Sequence, residues 1–125
     1  MLSEERRGDA VELFMTTVGM PQEMVDGMRR TTRWAGLEAM APTLAYDSEV
    51  MGDIGRDGTI PIDQASRVRV PALVLTGGAD YPWIADVGRR LADAMPNGRH
   101  RALEGQEHVV PPEVLVPVLK EFFAG

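Results

Sequence analysis

Apolar residues recur at three- and four-residue steps through the first part of the chain and give way, near residue 70, to a continuous apolar run. From Glu4 to Val18 the positions Ala10, Val11, Phe14, Met15 and Val18 follow the period of an amphipathic helix, with Gly19 placed to end it. Pro21 suits the first turn of a second helix, whose Met24, Val25 and Met28 share a face. Thr31 or Thr32 can cap a third, which carries Trp34, Leu37 and Ala41. Pro42 has to break or kink that helix, because an interior proline loses a hydrogen bond and costs about 3 kcal/mol. Leu44 and Tyr46 continue in a further short helical piece. Gly52-Asp53-Ile54-Gly55-Arg56-Asp57-Gly58 has the turn chemistry of a solvated, flexible connection. It divides a helical part, residues 1–58, from a second part, residues 59–125.

The second part changes period. Pro71 cannot donate to a sheet ladder and so sits at the start of a strand. Leu73, Val74 and Leu75 give that strand the apolar character of one covered on both faces, as in parallel sheets. The run ends in Gly77-Gly78-Ala79-Asp80, where the two glycines allow a tight turn. Pro82 can open a helix with Ile84, Val87, Leu91 and Met95 in one stripe, which Pro96-Asn97-Gly98 ends. A second strand follows, near Arg99 to Glu104, and runs into Gly105-Gln106-Glu107-His108. Strand, helix, strand in so short a space is a βαβ unit with parallel strands and a right-handed crossover. Leu115, Leu119, Phe122 and Phe123 mark a closing amphipathic helix that packs on the sheet, and Pro117 limits where it can begin.

Composition narrows the partners. A chain of 125 residues fits one ordinary domain, and a formal charge of -6 argues against a nucleic-acid surface, which draws on clustered Lys and Arg. Cysteine is absent, which excludes disulfides and thiol chemistry. No apolar run is long enough to span a bilayer, and the charged start lacks a signal-peptide core, so the expectation is a soluble, cytoplasmic protein with no membrane partner. Seven of the eight methionines precede residue 52 and, with Trp34, serve either a core or an adaptable ligand-facing surface.

The candidate chemistry is one acid and one base. Loops leaving the carboxyl ends of parallel strands are where open α/β sheets bind ligands, and Asp80 and His108 each lie a few residues past such an end. A carboxylate hydrogen-bonded to one imidazole nitrogen fixes the tautomer and stabilises the imidazolium, which is what a general base requires. Trp83, beside Asp80, can wall a substrate site or pack on the sheet. His100, between two arginines, reads as a solvated residue at the opposite end of its strand. Glu107 is a poorer partner for His108 than Asp80, since adjacent loop residues rarely point together. Asp53 and Asp57 lack the spacing of a calcium loop, and Gly77-Gly78 lacks a phosphate-loop pattern. No metal or cofactor is implied.

The run from Val70 to Leu75 followed by Gly77-x-x-Asp80, together with Gly105-x-x-His108 before a Pro/Glu stretch and a helix ending Glu121-Phe122-Phe123, resembles the C-terminal part of the α/β-hydrolase superfamily. The resemblance implies a partial α/β-hydrolase fold: a helical lid over residues 1–58, then a βαβα unit with two parallel strands. It implies Asp80 in the acid position of a catalytic triad and His108 in the base position, with Trp34 and Trp83 as substrate-binding candidates for a small apolar molecule. The family's G-x-S-x-G nucleophile elbow is not in these residues. Ser3, Ser48 and Ser66 are the serines, and none has the flanking glycines. Three readings stand: the lid and C-terminal half of an ester hydrolase, dimeric or completed by another chain; a His/Asp dyad enzyme without a covalent nucleophile; or a non-catalytic binding protein on the same fold.

Overall fold

The computed structural model describes residues 6–125, with the side chains of 53–57 left aside. Met1, Ser3, Glu4 and Glu5, where the first helix and the charged start were expected to begin, lie outside the described residues. The chain divides into two compact units, Met1–Gly58 and Thr59–Gly125.

The first unit holds four helices: α1 (Arg7–Thr17), α2 (Gln22–Arg29), α3 (Arg33–Met40) and α4 (Thr43–Asp57). Val11, Val25, Trp34 and Ala41 form its core, with Met15, Met20, Met28 and Leu37 packed against them. The helical period therefore identifies the inward face, apart from Phe14 and Met24, which are exposed. Proline ends α3 as its missing N–H demands, since Ala41 and Pro42 separate α3 from α4. Thr32 occupies the N-cap of α3 without a side-chain cap bond. The Thr31 hydroxyl instead donates backwards to the Met28 carbonyl at 2.7 Å, closing α2.

The expected linker from Gly52 to Gly58 is a correction: it is helical, the second piece of α4. Gly52, at φ 56° and ψ -136°, breaks α4 at a backbone conformation open to glycine, so glycine here kinks a helix rather than opening a loop. The side chains of Asp53 and Asp57, weighed for calcium, lie outside the described residues.

In the second unit, α5 (Ile62–Ala65) precedes β1 (Ala72–Gly77), α6 (Pro82–Ala94), β2 (Gly98–Leu103) and α7 (Pro112–Phe123). The two strands pair in parallel, Ala72 with Gly98 through Gly77 with Leu103. Successive side chains point to opposite faces. His100 and Thr76 lie on the α6 face, beneath Gly88, where a Cβ would meet the Thr76 methyl at 2.6 Å. Arg99 and Arg101 lie on the other face, against Phe122 and Glu121 of α7. Helices thus cover both faces of the pair, yet Leu73, Val74 and Leu75 are only half-buried because two strands offer little area.

Two further expectations change. Pro117 lies inside α7 rather than before it; the helix starts at Pro112 and gives up one backbone hydrogen bond. Its inward face is Leu115, Val118, Leu119 and Phe122, and Phe123 is exposed. Gly88 and Ala92 are the most buried positions of α6, small residues at which a helix can approach a sheet closely. Being small, they add nothing to the apolar stripe of the helix.

Candidate active site

Both loops that leave the carboxyl ends of the strands turn toward each other. Asp80 follows β1 and immediately precedes α6, and its Oδ1 accepts from the Tyr81 backbone N–H at 2.8 Å. After β2, a turn closed by the Gln106 N–H on the Leu103 carbonyl, with Gly105 at φ 70°, reverses the chain toward His108. His108 Nδ1 lies 2.9 Å from Asp80 Oδ2. The carboxylate therefore uses one oxygen to hold its own loop and the other to hold the imidazole.

The two partners differ in environment: the Asp80 side chain is 5% exposed and that of His108 is 77% exposed. Burial raises the Asp80 carboxyl, but the hydrogen bond with His108, the one from the Tyr81 N–H and the attraction of a charged His108 together outweigh it. The carboxyl settles below its ordinary value of 3.8. An ionised Asp80 favours the tautomer with the proton on Nδ1, which leaves the Nε2 lone pair free to take a proton. The pair borders a recess of about 240 Å³, lined on its apolar side by Leu75, Ile84, Leu103, Val110 and Leu115. Glu107 borders the same recess, while Asp80 holds the imidazole.

Other candidates fall elsewhere. Trp34 is a core residue of the first unit, 6% exposed, with its indole N–H donated to Glu38 at 3.0 Å and the Arg29 guanidinium over its ring. Packing accounts for its burial. Trp83, on the first turn of α6, is half-exposed and does not line the recess. Ser66 donates to the Asp63 carbonyl at 2.7 Å and Ser48 to the Leu44 carbonyl at 3.0 Å, so each hydroxyl is engaged by the turn before it. Neither lines the recess. No group of three or more metal-ligating side chains occurs among the described residues.

His100 is a further correction. It is half-buried at mid-strand, its Nε2 2.8 Å from the Thr76 hydroxyl, which is itself buried. Flanking arginines suggested solvent, but strand alternation turns the imidazole the other way, under α6. Thr76 also borders the recess; its polar character inside an otherwise apolar run is the signal the sequence carries for it.

The fold and this loop pair define the class. The chain matches the crystal structure of an alpha/beta hydrolase from Sphaerobacter thermophilus DSM 20745, with a TM-score of 0.81 and 47% sequence identity over 96% of its length. Over the part that it spans, the chain has the α/β-hydrolase fold. It spans 46% of the length of the structure it matches. No protein-family model matches the chain, and no curated protein does. Among the described residues no helix is long and apolar enough to cross a membrane.

Proposed function

We propose that this chain supplies the acid and base of a hydrolase site for esters or related bonds in small apolar molecules. Asp80 orients His108, and His108 Nε2 takes the proton from a serine carried by polypeptide other than these 125 residues. The bond between His108 Nδ1 and Asp80 Oδ2, made across two loops at the same end of a parallel sheet, carries the reading. The apolar lining of the recess supports a small apolar substrate. Residues 1–58 are assigned as the lid of such a site on family resemblance, and Trp83 as a substrate contact beyond the recess. Exposed Val70, Val109 and Phe123 in the second unit support burial against a second copy or a complementing chain. A cytoplasmic setting fits the composition.

The test is hydrolysis of a short-chain p-nitrophenyl ester by the 125 residues alone and by the same residues joined to a segment bearing a G-x-S-x-G elbow. Turnover that depends on that segment and falls by about 10²- to 10⁴-fold in His108→Ala is expected. Turnover by the 125 residues alone that is lost in His108→Ala points instead to a dyad acting without a serine. Turnover indifferent to His108→Ala contradicts both.

A further inference from the structure

Gly77 and Gly78 were expected to serve a tight turn, yet neither has a positive φ. What distinguishes Gly77 is its neighbours. A Cβ there would lie 2.4 Å from the Gln106 carbonyl oxygen and 2.5 Å from that of Glu107. Both atoms belong to the backbone of the loop that carries His108, so no side-chain rotation can relieve the clash. That loop is also tied to the acid loop, because the Ala79 N–H donates to the Gln106 carbonyl at 2.8 Å. One step earlier, the Gly78 N–H donates to the Leu103 carbonyl at 2.8 Å.

We propose that Gly77 is a positioning residue: its bare Cα lets the Gln106 and Glu107 carbonyls cross the end of β1, and that crossing sets His108 against Asp80. The pair is separated by 28 positions in sequence, and two exposed loops do not find a 2.9 Å contact unless something fixes one on the other. Backbone-to-backbone packing at Gly77, clamped by the Ala79 N–H, does so. With alanine at 77 the histidine loop has to withdraw by about 1 Å, enough to break the imidazole–carboxylate bond, and a misplacement of that size costs about 10²-fold in rate. The consequence for hydrolysis rests on the function proposed above; the positioning itself does not.

Imidazole ¹⁵N resonances of His108 report the tautomer without any need for turnover. In the unmodified chain the Nδ1–H form should dominate. In Gly77→Ala, with circular dichroism unchanged, that preference should be lost, and in a form that hydrolyses ester kcat should fall about 10²-fold with KM nearly constant. A folded Gly77→Ala chain that keeps the Nδ1–H signature overturns the proposal, whatever the enzyme does. Absence of turnover in every form, with the signature lost on substitution, overturns the hydrolase reading and leaves the positioning role standing. If Gly77→Ala does not fold, amide exchange in the unmodified chain decides. Ala79 exchanging as slowly as the paired Val74 and Thr76 supports the clamp, and Ala79 exchanging as fast as an open loop refutes it.

Discussion

The two units of this chain are built by different means. In the first, large side chains meet one another: Val25 is fully buried, and Trp34 packs with Val11 and Ala41 while methionines fill the edges. In the second, backbone approaches backbone. Its buried positions include Thr76, Gly77, Gly88 and Ala92, with Leu103 and Val118 the largest apolar side chains fully inside. A core of large, pliable side chains tolerates adjustment, whereas close backbone contacts fix loops to within a fraction of an ångström. The second kind of construction is the one that holds Asp80 and His108 together.

If that contrast is right, the largest effects separate cleanly by unit. Removing the imidazole in His108→Ala should cost about 10²- to 10⁴-fold in ester hydrolysis, and any loss of stability should fall on the second unit, where the buried Asp80 carboxylate loses a hydrogen bond. Trp34→Ala should cost about 3–5 kcal/mol, read by amide exchange at Val11 and Val25. Val74 and Thr76 should keep their protection in that variant; equal losses in both units would break the contrast.

A smaller effect follows from the lowered Asp80 carboxyl. A carboxyl depressed in the folded state stabilises it fully above its ordinary, unfolded value of 3.8, and the contribution disappears as pH falls through the folded value. Acid titration of stability should therefore be shallower below about pH 4 in Asp80→Asn than in the unmodified chain. Identical acid slopes would show that the carboxylate gains nothing from its partners. The smallest effect is a gain: Gly36, inside α3, has open space where a Cβ would go. Gly36→Ala should raise stability by about 0.5–1 kcal/mol, in contrast to Gly77→Ala, and thermal unfolding measures it.

The sequence made periodicity legible wherever large apolar residues carried it. The helical faces of α1 and α2, the break at Pro42, and the order strand, helix, strand all follow from spacing and from proline's missing N–H. Asp80 and His108 could be paired because parallel strands send their loops to one end of a sheet. What remained hidden depended on contacts that leave no pattern. Gly52 and Gly58 look alike in sequence, yet Gly52 falls inside α4 and Gly58 caps it with φ 62°. His100 sits between arginines, but its direction is set by strand alternation and by the space Gly88 leaves above it. The importance of Gly77 is invisible until the Gln106 and Glu107 carbonyls are seen beside it.

Whether Asp80 acts through His108 is decided by a double-variant cycle on ester hydrolysis with Asp80→Asn, His108→Ala and the two combined. Residues that act as one unit are non-additive, since an orienting carboxylate has nothing to orient once the imidazole is gone. A double variant no slower than His108→Ala alone is expected. Rate losses that multiply would show Asp80 and His108 acting independently, and would contradict that expectation.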